Sequence, residues 1–570
     1  MLTKITSALF FTVLLLATSC SNKKNNAEDL IPSDAKAVFA INAGQLMGKL
    51  AKAGLSADSF DTILTDTTTK DNKPVTNFST TATQMGINLM KPIFVAYSKS
   101  NNALNSNALL RIIATLGDEN KFSNFLNNQK VKTTKSGGLT FAEVNDMVIG
   151  YDSKFVVAVQ QAPSTLLKNN TDNSAITPAD TINNITTEQL QLAVINTFKA
   201  KTESITTNKN YTNLAVANND VKIWINQEYL IDNVNSDNQF TQIGTRIFKD
   251  LFAGSSTTCL INFDNGKINA KSQTYFNPEV SSLIKNVESK QIDFELIKNY
   301  PGSKLNAIVG FAVTPKLLYE FAKYIKQDGI LNVVLAELKM STTDVFNALS
   351  GDAVAILADV NNANAFTQQN QPALNAAIIL KVNNSTVIQK ILQMPDIAKN
   401  LKRNGDLYII QPKANVAPWY ISISTNNIII STNQKIITSY INKISTNTFA
   451  TTGLSKLQGK SAGYYIDVNS LSSIIAGSQF TSLLNTKSTT DYKNIANIFT
   501  QTYATTGAFT NNYIEATATL ELNNSEINSL AHIIKNVFKL IKSVRGNTAN
   551  TLLPSDDEKI GDIIKPMKVD

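Results

Sequence analysis

The chain has 570 residues, 43% of them hydrophobic and 17% charged, with 52 Lys and Arg against 44 Asp and Glu and a formal net charge of +8. That apolar content excludes a disordered or collagen-like chain, and the length allows two to four domains. One His and two Cys exclude a His-built metal cage, a thiolate zinc site and a disulfide framework. Arginine is confined to Arg111, Arg246, Arg403 and Arg545, and the lysines are dispersed. A nucleic-acid reader needs clustered, fork-shaped guanidinium groups, so no nucleic-acid partner is expected.

At the amino end a lone Lys4 precedes an apolar run from Ala8 to Ala17, and small residues lead to Cys20. The run is too short to span a bilayer but has the length of a signal-peptide core, so residues 1–19 read as a leader. Leu16-Ala17-Thr18-Ser19-Cys20 resembles the lipobox of bacterial lipoproteins, with Ala17 where the commonest form has Leu. The resemblance implies acylation of Cys20 by palmitate-like chains and an outer-membrane lipid as partner. Ser21 stands where an inner-membrane retention signal carries Asp, which favours the outer membrane. Glu28-Asp29 follows two lysines and comes late after the Cys, which favours the periplasmic side over the cell surface. Residues 20–30 read as a polar tether. No later segment reaches 18 unbroken apolar residues, so the chain reads as anchored rather than spanning.

Beyond the tether, a strand, an Asn or Asp and a helix recur at Val38–Asn42, Val221–Asn226, Asn306–Val313 and Gly463–Asp467. Pro92–Tyr97 matches Ala353–Ala358, and Leu110–Thr115 matches Asn375–Leu380, in the same order. The expectation is an α+β fold of two tandem duplicated halves, 31–295 and 296–545, each an antiparallel sheet with helices packed on one side. Residues 546–570 read as a polar tail. Ile268–Phe276 and Tyr513–Leu522 alternate at period two, as half-buried strands do. Asp264-Asn-Gly266 and Thr510-Asn-Asn512 predict hairpin turns, because Asn and Gly tolerate positive φ. Helical spacing covers 314–326, 386–393 and 525–544. Loops are expected at 56–84, 168–185 and 201–220. Asp61-Thr-Ile, Asp66-Thr-Thr and Asp180-Thr-Ile in them resemble acceptor sites of a bacterial O-glycosylation system.

Ile31-Pro-Ser-Asp-Ala-Lys-Ala-Val-Phe-Ala-Ile-Asn42, directly after a leader and tether, resembles an uncharacterised lipoprotein family of the Bacteroidetes lineage. Its members open with Ile-Pro, an acidic residue and Ala before a strand–Asn–helix unit. The resemblance implies a domain of unknown function and transfers no catalytic residue.

Catalytic patterns are thin. Gly459-Lys-Ser461-Ala-Gly463 matches a nucleophile elbow, with Asp491 and His532 following in acid-then-base order. The elbow needs a strand before the serine and a helix after it, whereas a strand follows here. Ser33-Asp-Ala-Lys36, Ser100-Asn-Asn102 and Lys135-Ser-Gly137 match the acyl-transfer set of penicillin-binding enzymes, in a chain rich in those residues. Asp359-Val-Asn361-Asn-Ala363-Asn364 begins like a calcium loop but lacks its glycine. No phosphate loop or dinucleotide fingerprint occurs, and no cofactor is expected. Cys259, Trp224 and Trp419 read as buried strand residues. The expected function is a lipid-anchored envelope protein that binds or scaffolds rather than an enzyme. The alternative is an envelope serine hydrolase using Ser461, Asp491 and His532. Nothing in the residues identifies a protein or glycan partner.

Overall fold

The computed structural model describes residues 26–55, 84–99, 108–162, 185–199, 204–213, 219–228, 249, 251–285, 290–326, 328–336, 338–360, 375–410, 418–444, 449, 451–471, 497–510 and 512–537. The leader, Cys20, the tether up to residue 25, Asp491, the Asp-Thr motifs and the 546–570 tail lie outside them.

The first strands are β1 (Ala37–Ile41), β2 (Ile93–Lys99), β3 (Ala108–Thr115), β4 (Thr133–Ser136) and β5 (Leu139–Val144). Then come β6 (Met147–Tyr151), β7 (Phe155–Gln161), β8 (Val221–Asn226), β9 (Ser256–Asp264) and β10 (Lys267–Tyr275). The later strands are β11 (Leu305–Ala312), β12 (Leu349–Ala358), β13 (Ala376–Val382), β14 (Leu401–Asn404) and β15 (Leu407–Ile410). The last are β16 (Trp419–Ile423), β17 (Asn427–Ser431), β18 (Ala462–Asp467), β19 (Phe499–Thr510) and β20 (Tyr513–Leu522).

All pairings are antiparallel. From one edge the neighbours run β4-β5-β6-β7-β3-β2-β1-β8-β9-β10. They continue β20-β19-β18-β11-β12-β13-β17-β16-β15-β14 to the other edge. The twenty described strands therefore form one sheet.

This corrects the expected fold of two halves with separate sheets and helices on one side. β10 and β20 pair from Lys267↔Glu521 to Tyr275↔Tyr513, so two long strands that would otherwise present unpaired edges close on each other. Helices also lie on both faces. Phe122 and Leu126 of helix Glu119–Asn128 pack on Ala142, Ile149 and Val156. Leu190 and Val194 of helix Thr187–Lys199 pack on the opposite face, with Val148 and Val157. Near the far edge, Ile388 of helix Ser385–Leu392 meets Ile421 and Ile428, while Ile436 and Ile437 of helix Gln434–Ile441 meet Ile379 and Ile429.

The abundant Asn has a local role. Asn42 accepts from Gln45 N at 3.3 Å, Asn384 from Thr386 N at 3.1 Å and Asn433 from Lys435 N at 3.0 Å, each opening a helix just after a strand. The strand–Asn–helix pattern is thus an N-cap at a sheet rim. Both expected hairpins form. Asp264↔Lys267 and Thr510↔Tyr513 close two-residue turns, with Gly266 at φ 67° and Asn512 at φ 69°.

The last residues of the expected 20–30 tether are folded into the body. Residues Ala27–Leu30 form a 3-10 turn, and Ala27, Leu30 and Ile31 are buried in the core. Tyr211 Oη donates to Glu28 Oε1 at 2.6 Å. Lys222 Nζ lies 3.8 Å from the same oxygen and 3.6 Å from the Tyr211 ring centre. Burial lowers the Lys222 pKa from 10.5 to about 8 and raises that of Tyr211. Between those two Lys222 values the unfolded chain holds a proton that the folded chain has released, so stability rises with pH there. The expected gain is about 2 kcal/mol between pH 8 and about 10. Lys222→Met should remove that slope and leave stability at pH 7 unchanged or higher, because an apolar side chain replaces a desolvated ammonium. Chemical denaturation across that pH range checks both; a slope that survives the substitution contradicts the assignment to Lys222.

Candidate functional site

The structure does not assemble the catalytic sets. Ser461 sits just before β18, and its hydroxyl donates to the carbonyls of Thr506 at 3.2 Å and Gly507 at 3.1 Å. His532 Nε2 meets Asn523 Oδ1 at 2.8 Å, and Asn523 N donates to Ile498 O. Ser461 therefore lies beside Thr506 of β19 and His532 near Ile498, just before that strand, eight residues apart along the chain, or about 26 Å at about 3.3 Å per residue. Asp491 lies outside the described residues. Ser33 occupies an exposed turn before β1, and Lys135 lies on the edge strand β4, six strands away along the sheet.

No group of three metal-ligating side chains occurs among the described residues. Asp359, at φ 52°, accepts from Ser303 Oγ at 2.7 Å, Ser303 N at 3.0 Å and Lys304 N at 2.7 Å. Its carboxylate ties the end of β12 to the start of β11; residues 361–364 of the calcium-like motif lie outside the described residues.

The sheet itself presents the distinctive surface. Directly paired residues share a face, so the registers trace rows across it. One row runs from Ile41 through Val221, Ile261 and Ala270 to Ala518. It continues through Ala504, Tyr464, Val309 and Ala355 to Ile378. Ten strands contribute, spanning about 43 Å at about 4.8 Å per strand. None of these residues is charged, and none is buried. Val309 is 48% exposed, and Phe39 and Phe311, on the adjoining row of the same face, are 39% and 47% exposed. The adjoining row carries Ser272 and Thr506 but no charge either, and an uncharged strip of this length is a candidate binding surface.

Two sequence expectations are corrected here. Trp224 is buried, but Trp419 is 39% exposed at the end of β16 on this face. Cys259 is half-buried rather than buried, opposite Ile223 on the Phe39 row, and burial pushes its thiol pKa up. The face was hidden in the sequence because β11 and β13 read as continuous apolar runs, which fit strands covered on both sides. Over the middle of the sheet the opposite face is polar instead, with Lys271, Gln273, Glu515 and Thr517 on β10 and β20.

Beside Trp419, across β11, β12 and β13, the face deepens into a cavity of about 290 Å³ lined by Val309, Ala355, Ala376, Ile378 and Thr432, among others. Among the lining residues only Thr432 and the indole N–H of Trp419 bring polar side-chain groups.

No family model matches this chain, and no curated protein matches it. Solved structures similar to it include crystal forms I and IV of TP0453, at 9% and 10% identity. These cover 45% and 49% of this chain and 81% and 91% of their own, with TM-scores of 0.24 and 0.26. Among the described residues no helix is long and apolar enough to cross a membrane.

Proposed function

We propose that this chain is a lipid-anchored cell-envelope protein that binds apolar ligands on the open face of its sheet. The observation that carries the reading is the uncharged row from Ile41 to Ile378, left unburied across ten strands. Water-exposed apolar area is a standing cost, at roughly 25 cal/mol per Å², that an apolar ligand relieves. The lipobox-like Leu16–Cys20 segment supports an acyl anchor on Cys20, Ser21 supports the outer membrane, and the late Glu28-Asp29 supports its periplasmic side. With Ala27 already in the core, the span from Cys20 to Asn26 is at most about 21 Å at about 3.5 Å per residue. The ligand-binding face thus works close to a lipid surface.

Titration of the full chain with N-phenyl-1-naphthylamine tests the reading. Saturable binding is expected, weakened about tenfold by Phe311→Asp or Phe39→Asp, because each sets a charge in the face. Both side chains are partly exposed, and circular dichroism of each variant checks that the fold is kept. Absence of saturable binding, or equal binding by both variants, contradicts the reading.

A further inference from the structure

We infer that the cavity across β11, β12 and β13 takes a single acyl chain of a membrane lipid; the inference rests on the apolar-binding reading above and narrows it to one site and one ligand class. The sheet contains its own comparison. β1 lies between β2 and β8 as β11 lies between β12 and β18, and setting Phe39 on Val309 brings the rungs of the two regions side by side, one residue off the sequence matches in β2 and β3. Phe39 pairs with Val95 and Val95 with Ile112, where β11–β13 have Val309, Ala355 and Ile378. One rung on, Tyr97 and Leu110 stand where Leu357 and Ala376 do. Each of the four substitutions (Phe to Val, Val to Ala, Tyr to Leu, Leu to Ala) removes volume from the same face. The cavity occurs where the side chains are smaller.

Its size and lining select the occupant. At about 290 Å³ it has about twice the volume of a dry cavity that holds benzene, room for a chain segment of about ten carbons. Eleven residues line it, against about 20–30 on each side of a stable protein interface, which disfavours a second copy or a protein partner. No lining residue is charged, so the carboxylate of a free fatty acid would lack a partner, whereas an esterified chain can enter with its headgroup left in water. Trp419 stands at the cavity wall, and Trp224, the other tryptophan, is buried on the opposite face.

The test places the full chain in phosphatidylethanolamine vesicles whose acyl chains carry bromine, which quenches indole fluorescence on contact. Quenching of Trp419 is expected in the parent chain. It should be at least about tenfold weaker in Ala355→Val/Ala376→Leu, which gives the cavity the residues found at the β2 and β3 rungs and removes the volume of about five carbons. Val309→Phe, at an exposed position, provides a second filling variant should the double one misfold. Equal quenching in parent and filled variants overturns the cavity assignment and leaves the wider face reading to the naphthylamine titration. A dimer in sedimentation that Val309→Phe dissociates overturns it in favour of a second copy. No quenching in the parent overturns it as well, and if naphthylamine still binds, the failure belongs to the acyl-chain inference alone.

Discussion

A chain carrying Gly351→Ala should be destabilised by at least about 3 kcal/mol, or fail to accumulate as folded protein. Gly351 sits at φ 85°, where an L side chain is strained. A Cβ there would lie 1.6 Å from the carbonyl oxygen of Val313, a backbone atom with no rotamer to yield. The position is fixed from both sides, since Val313 N donates to Gly351 O at 2.9 Å. It lies in the register shift of β12, between Leu349↔Val382 and Ala353↔Leu380. The shift is pinned by Lys290, whose ammonium donates to Ser350 O at 2.6 Å and pairs with the buried Asp352, which also accepts from Ser350 Oγ. Moving the bulge would unseat that buried pair and turn β12 away from the register that sets Ala355 opposite Val309. Denaturant midpoints and expression yield read the effect. A variant within about 1 kcal/mol of the parent would show that the bulge is not a fixed point of the fold.

Cys20→Ala should remove acylation altogether. One acyl chain binds membranes marginally, at about 0.8 kcal/mol per buried methylene, whereas several chains hold a protein stably. Lipoprotein processing would place several on Cys20, so the variant should either stall with its leader attached or leave the membrane fraction. Metabolic labelling with a clickable fatty acid reads the result directly. Label that persists on Cys20→Ala, or its absence from the parent, contradicts the anchor.

The sequence carried local structure well and long-range structure poorly. Asn265-Gly266 and Asn512 announced their hairpins because positive φ selects those residues, and Asn42 announced a helix start because a side-chain cap has a fixed spacing. The union of β10 with β20 had no such signal: Lys267 and Glu521 are far apart in the chain, and nothing in either strand names its partner. The placing of helices on both faces was hidden for a related reason, since apolar runs in β11 and β13 look alike whether the second face meets a helix or stays open. Burial of Ala27, Leu30 and Ile31 likewise depends on Ile205 and Tyr211, so the polar residues around them read as tether. Ser461 and His532 matched a motif in order but not in space, because order along a chain does not set distance across a sheet.

Photo-cross-linking tests the central claim most directly. The full chain would be placed with a phospholipid bearing a diazirine at the end of one acyl chain, irradiated, and mapped peptide by peptide. The account predicts adducts on face residues of β11, β12, β13 and β16, Val309, Ala355, Ile378 and Trp419 among them, with few on helix Thr187–Lys199 on the opposite face. Adducts confined to that helix, or spread evenly over both faces, would contradict it.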